Sequence, residues 1–387
     1  MTRPGTRWKI SNLFLVLIVL ATTALQAFGS QYLVYVGTYT DKGSQGIYAY
    51  RFDAVTGESK AIGLAAATKN PSFLAVDPNH KFLYAVNEID NFNGGHTGAL
   101  SAFAIDHANG HLTLLQQVSS LGADPAHVSL DKTGRFLLVA NYTSGNIAVF
   151  PVEKDGRLGP RSAFVQHAGS SVNQERQTGP HAHAIAASHD NRFALTADLG
   201  LDQLLVYRFD SKSGALAPND PPFAKTSPGA GPRHFAIAPS GKFVYLVNEM
   251  SSTVTVFAYT ASSGMLKEQQ TISTLPAGFK EENTTAEIAV DAKGAFLYVS
   301  NRGDDSIAVF AIDPHSGKLS FAERVPTGGK TPRHFTLDPT GKWLFAANQD
   351  SNDITIFRVD PSNGRLTPTS HALKVATPVC VVFVPVN

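Results

Sequence analysis

The chemistry in this sequence is concentrated where ionisable side chains interrupt an otherwise repetitive pattern. The chain can be aligned on a recurring Gly-Arg/Lys-aromatic turn. Upstream of that turn, one position reads Ser72, Ala126, His183, Arg233, Ala286 and Arg333, and the next reads Phe73, His127, Ala184, His234, Glu287 and His334. Just past the apolar run that follows stand Glu88, Tyr142, Leu199, Glu249, Arg302 and Gln349. A residue shared by most copies serves the repeat; one found in few copies is free to serve a ligand. His183, Arg233, Glu249, Arg302, Glu287 and Arg333 are of the second kind, and Glu88 and His181 can join them. The His127, His234, His334 series can equally bond between repeats or line a site. Arginine presents a planar fork that matches carboxylate or phosphate. A neighbouring Glu or His can take a proton from water, and an Arg or His can stabilise an oxyanion. The set therefore suits an anionic substrate and acyl chemistry.

Two turns, out of phase with each other, must position these groups. The first is acidic-x-x-x/Ser-Gly, closing at Gly57, Gly110, Gly156, Gly214, Gly264, Gly317 and Gly364. The second is Asp-x-x-Gly-x-aromatic, clearest at Asp131–Phe136, Asp291–Phe296 and Asp338–Trp343. Its glycine position holds Asn191 in one copy and, less expectedly, His80 in another. Period-2 apolar runs such as Ile147-Ala-Val-Phe150 flank both turns. Four strands in about 50 residues, repeated seven times, predict a seven-bladed all-β propeller with four antiparallel strands per blade. The run Tyr32–Gly37 lacks a preceding first strand, and Thr377–Phe383 lacks a following second one, so the two should pair and close the ring. Antiparallel order puts both glycine turns on one face and the ionisable exceptions on the other, at the channel mouth. The Asn or Asp ending each second strand (Asn87, Asn141, Asp198, Asn248, Asn301, Asn348) is expected to close the next loop by side-chain to backbone bonds.

Other chemistries find no support. There is no Gly-x-Ser-x-Gly elbow, no His-Glu-x-x-His and no paired-Cys spacing. His181-x-His183 lacks a matching carboxylate cluster, so no metal is expected. The single Cys380, in an apolar run, reads as core. A formal charge of +1 over 387 residues marks out neither nucleic acid nor an anionic membrane as partner. Arg3, Arg7 and Lys9 precede the apolar run Leu13–Leu20, and Ala27-Phe28-Gly29 fits a cleavage site. Residues 1–29 thus read as a secretory signal peptide, the propeller as 30–387, and the mature protein as a periplasmic or secreted monomer without a membrane anchor.

Tyr35-Val-Gly-Thr-Tyr-Thr40, Asn70-Pro-Ser-Phe-Leu-Ala-Val-Asp77, Gly179-Pro-His-Ala-His183, Gly231-Pro-Arg-His234, Val247-Asn-Glu249 and Ser300-Asn-Arg-Gly303 resemble the seven-bladed propeller lactonases. That family contains bacterial 6-phosphogluconolactonases and, as relatives, fungal carboxymuconate-lactonising enzymes. The resemblance spans the chain from Tyr32 onward. It implies making or opening a lactone without a cofactor, on a small lactone or sugar acid. The fungal His, Arg, Glu, Arg constellation maps onto His183, Arg233, Glu249 and Arg302, with Arg333 as a rival for the last place. Glu249 or His183 would be the general base, with Arg333, His127, His181, Glu287 and Glu88 binding substrate. An export signal sits uneasily with a cytosolic sugar phosphate. Two further readings are a non-catalytic exported propeller binding carbohydrate or peptide, and a muconate-type cycloisomerase.

Overall fold

The computed structural model describes residues 1–2 and 31–386; the expected signal segment falls almost wholly outside them. The described residues form twenty-eight strands in seven four-stranded antiparallel sheets. These are the seven blades of a β-propeller. Blade 1 is composite: Gln31–Thr38, Gly46–Asp53 and Ser59–Ala67 are joined on the inside by Pro378–Pro385. The closure register runs from Tyr32 opposite Pro385 to Thr38 opposite Pro378. Blades 2 to 7 begin with the inner strands Leu74–Val76, Pro125–Leu130, Ala182–Ala187, Pro232–Ile237, Thr284–Val290 and Pro332–Leu337.

Both turns have identifiable jobs. In the Asp-x-x-Gly-x-aromatic turn the carboxylate receives backbone N–H groups. Asp131 Oδ1 accepts from Arg135 and Phe136, at 2.7 and 2.8 Å, and Asp338 Oδ1 accepts from Lys342 and Trp343, at 2.9 and 2.8 Å. The fourth residue is left-handed in each copy, from Gly134 at φ 70° to Asn191 and His80, both at φ 58°. His80 thus adopts the glycine conformation despite its side chain.

The Ser-Gly turns lock neighbouring blades together. A Cβ on Gly156 would lie 2.4 Å from the Phe82 ring of blade 2, and one on Gly317 would lie 2.4 Å from Phe243 of blade 5. Gly214, Gly264, Gly364 and Gly57 meet Phe136, Phe193, Phe296 and Trp343 in the same way. The glycine of one turn motif therefore seats the aromatic residue of the other, one blade back. Three tyrosines reinforce this: Tyr84, Tyr245 and Tyr298 donate from Oη to the carbonyls of Gly156, Gly317 and Gly364. Across the closure, Phe52 packs edge-on against Trp343 and Phe345.

Of the Asn or Asp series, Asp198 closes the next loop as expected, its Oδ1 accepting the Leu201 N–H at 3.2 Å, whereas the asparagines behave differently. Their amides reach mainly the polar side chain opening the third strand, as Asn141 does to Asn146 (2.7 Å) and Asn248 to Thr253 (2.9 Å). Others bond the connection entering the blade, as Asn87 does to the Lys69 carbonyl. The antiparallel pairing places these side chains across from each other, closer than the loop backbone.

The inner strands carry a feature that the sequence pattern conceals. Their register shifts between Pro125 and His127, Ala182 and Ala184, Pro232 and Phe235, Thr285 and Ile288, and Pro332 and His334. A bulge breaks strict alternation and re-aims side chains. Consecutive residues such as Arg233 and His234, or Arg333 and His334, can then both face the channel.

Candidate active site

At the channel mouth a cavity of about 270 Å³ is lined by Glu88, Tyr142, Arg176, His183, Glu249, Arg302 and Arg333, with Ala126. Glu249 is its hub. Glu249 Oε2 accepts from Arg233 Nε at 2.8 Å and lies 3.1 Å from Arg302 Nη2, and Oε1 accepts from Arg176 Nη2 at 2.8 Å. Burial alone would raise the Glu249 pKa. The guanidinium groups of Arg302, Arg233 and Arg176 overrule burial and hold it at about 2.

Arg233 and Arg302 are pinned by more than Glu249. Arg233 Nη1 donates to the Ala286 carbonyl at 2.7 Å, and Arg302 Nη2 donates to that of Thr285 at 3.1 Å. Burial and the charge of Arg233 lower the Arg302 pKa to about 9, so it stays charged at neutral pH. Arg333 stands apart. Among the described residues no carboxylate lies within salt-bridge reach of it, and its guanidinium sits over the Tyr39 ring, 5.3 Å from the centroid. Tyr39 in turn donates to the Glu88 carboxylate at 2.9 Å.

Two imidazoles flank this cluster. His183 Nε2 is 4.0 Å from Glu249 Oε2, and its ring meets that of His234 edge-on at 5.1 Å. Burial, then the charge of Arg233, holds both far below the usual histidine range. They are neutral at pH 7 and able to accept a proton. Below them the channel holds Phe73, His127, His334 and Glu287. His127 stacks on Phe73 at 4.4 Å, and Glu287 Oε2 joins His234 Nδ1 (3.1 Å) and His334 Nε2 (3.5 Å). The three-histidine series thus both bridges blades and floors the site. Cys380 is buried beside His334, and burial pushes its thiol far up, out of reach of the thiolate.

The structure therefore brings together His183, Arg233, Glu249, Arg302, Arg333 and Glu88, with Glu287 and His127 deeper in the channel. His181 is placed behind the cavity wall: it stacks on Tyr142 at 4.6 Å, and its Nδ1 faces the Tyr142 carbonyl. Two groups escaped the sequence comparison: Arg176, which lines the cavity, and Tyr39, which backs its lining residues Glu88 and Arg333. Tyr39 is the seventh member of the series that contains Glu88 and Glu249, hidden because its blade is composite. Arg176 belongs to no repeat. It lies on the connection between strands Ala163–Gln166 and Ala182–Ala187, the longest that enters an inner strand. Gln177 Nε2 anchors that connection to the Leu199 carbonyl and Asp202. Its length was the available signal.

The family model for the seven-bladed β-propeller lactonases matches residues 33–383. This chain belongs to that family. The lactonase is 38% identical to the 6-phosphogluconolactonase of Bacillus subtilis over 309 residues, covering 79% of this chain and 85% of the relative. It is 35% identical to that of Formosa agariphila, with 79% and 86% covered. Among solved structures, the periplasmic gluconolactonase of Pseudomonas aeruginosa superposes with a TM-score of 0.86 at 38% identity, over 92% of this chain and all of the other.

Proposed function

We propose that this lactonase opens a sugar lactone or a similar anionic lactone by metal-independent, general-base attack of water at the channel mouth, after export to the periplasm or beyond. One observation carries the reading: Arg176, Arg302 and Arg333 line a cavity whose central carboxylate, Glu249, engages Arg176, Arg302 and the adjoining Arg233, and among the described residues leaves Arg333 without an ion-pair partner. A ligand anion, or the oxyanion formed as water adds to the lactone carbonyl, has a charged and oriented donor in Arg333. Tyr142, which lines the cavity, offers a ring edge against which a sugar can lie.

The sequence offered Glu249 and His183 as base. Glu249 is poorly suited, because three guanidinium groups make its carboxylate very weakly basic. Its role is to fix Arg176, Arg233 and Arg302 in place. Burial and the charge of Arg233 weaken His183 and His234 as bases too, so proton acceptance by either imidazole, His183 on the cavity wall or His234 at its floor, is to be coupled to the negative charge that develops on the substrate beside Arg333. The names of the Bacillus and Pseudomonas relatives support a gluconolactone-type substrate. The N-terminal pattern and the periplasmic Pseudomonas neighbour support export. The test is turnover of gluconolactone, 6-phosphogluconolactone and other lactones by the purified mature protein, corrected for spontaneous hydrolysis. Catalysis of at least one is expected, and ligand binding without turnover of any would overturn the reading.

A further inference from the structure

Beneath the reaction cavity the channel contains a second, much smaller space of about 10 Å³, which shares Glu88, Ala126 and Arg333 with the cavity above. This is about the room that a single water molecule needs, and such a water requires two to four polar partners. The chamber supplies them. Ser72 Oγ and His234 Nε2 belong to residues lining it, and both atoms are buried without a hydrogen-bond partner among the described residues. Leaving two such atoms unsatisfied is costly.

The order of groups around the chamber is chemically specific. Glu287 Oε2 lies 3.1 Å from His234 Nδ1, which holds the ring in the Nδ1–H tautomer and leaves the Nε2 lone pair free. Glu287 is itself fixed, with Oε1 accepting the Ile288 N–H at 3.0 Å. A carboxylate orienting an imidazole whose far nitrogen meets the reacting hydroxyl is the arrangement of nucleophile-activating triads. His183 has no such orienting carboxylate at hydrogen-bond distance; Glu249 is 4.0 Å away.

We propose that this chamber is a single-water site, and that the water bound between His234 Nε2 and Ser72 Oγ is the nucleophile of the hydrolysis, with His234 as its base and Glu287 as the residue that positions His234. The proposal rests on the lactone-hydrolase reading above. In it, the water oxygen bonds to the lactone carbonyl carbon while His234 Nε2 takes one proton. The carbonyl π pair moves onto oxygen and is met by Arg333. Collapse restores the C=O bond and breaks the bond to the ring oxygen, which takes the proton back from His234. The product is the open hydroxy acid, and no further reactant is consumed. Burial and the charges of Arg233, Arg333 and Arg302 oppose a cation on His234, and Glu249 favours it; Glu287, 3.1 Å from Nδ1, is the carboxylate placed to take its positive charge. The oxyanion beside Arg333 adds negative charge at the step where the imidazolium forms.

Two variants and one structure test this. Glu287→Gln keeps the shape but removes the orienting charge. kcat should fall about a hundredfold, with KM within about twofold of wild type. Ser72→Val fills the chamber and removes one anchor, and kcat should fall about tenfold or more with KM again little changed. A high-resolution crystal structure of the wild type should show one water within hydrogen-bond reach of His234 Nε2 and Ser72 Oγ, lost in Ser72→Val. Absence of that water, or unchanged kcat in both folded variants, would overturn the proposal. Should Glu287→Gln not fold, Ser72→Val decides alone. An ordered water in a wild type that turns over no lactone would instead refute the lactone-hydrolase reading, and with it the nucleophilic role.

Discussion

Glu249→Gln is the substitution whose consequences the structure defines most fully. The side chain is 8% exposed and its carboxylate meets Arg176, Arg233 and Arg302. Holding this carboxyl at about 2 rather than its ordinary 4.5 corresponds to about 3 kcal/mol of stability. The folded-state pKa is depressed, so the stabilisation is complete above about pH 4.5 and disappears as pH falls through about 2. With unfolding entropy near 2 cal/mol/K per residue over roughly 350 ordered residues, a loss of about 3 kcal/mol lowers Tm by about 4 °C. The assay is calorimetric unfolding of wild type and variant from pH 7 down to pH 3. The gap should be about 4 °C at pH 7 and about half that or less at pH 3, where the unfolded chain's carboxyl is already protonated and must give up its proton for the native carboxylate to stay charged. Other titrating groups are common to both proteins and cancel in the difference. The released guanidinium groups also lose their geometry, so kcat/KM should drop about a hundredfold or more. Equal Tm values at pH 7, or a gap that does not narrow with acid, would refute the assignment of Glu249 as the electrostatic hub.

Two further outcomes follow from the geometry. Arg333→Gln removes the guanidinium that has no carboxylate partner, so kcat/KM on an anionic lactone should fall about a hundredfold. Tm should change little, because burial and the neighbouring charge of Arg233 oppose the Arg333 cation while Glu88 and Glu249 favour it; a large stability loss would mean that Arg333 is structural. Deleting residues 378–387 removes the strand that completes blade 1 and uncovers the partners of buried Val379, Cys380, Val381 and Val384. Their burial is worth on the order of 8 kcal/mol, comparable to the whole stability of a domain. Circular dichroism should therefore show loss of the cooperative transition, and an unchanged melt would mean that the ring does not depend on this closure.

The sevenfold fold was legible because its causes are local. Glycines at φ near 70°, aspartates that receive the turn N–H groups, and period-2 apolar strands each leave a mark within a few residues, and the repeat multiplies that mark. The composite first blade was legible for the same reason, since each terminus carried an unpaired half of the pattern. Most of the cavity was legible too, because His183, Arg233, Glu249, Arg302 and Arg333 break a repeat that would otherwise be apolar or neutral. Arg176 and the stacking of His181 on Tyr142 were not, since a non-repeating loop has no register against which an exception can be measured. Nor did residue type disclose that Glu249 is the anchor of three arginines, a role set by distances across blades 4, 5 and 6. The inner-strand bulges were equally invisible. A bulge is settled by how one strand pairs with its neighbour, and it alone lets adjacent residues such as Arg233 and His234 share the channel. Sequence by itself therefore determined the propeller and nominated the charged mouth. The tertiary structure decided which of those charges neutralise one another and which, like Arg333, have no carboxylate within salt-bridge reach among the described residues.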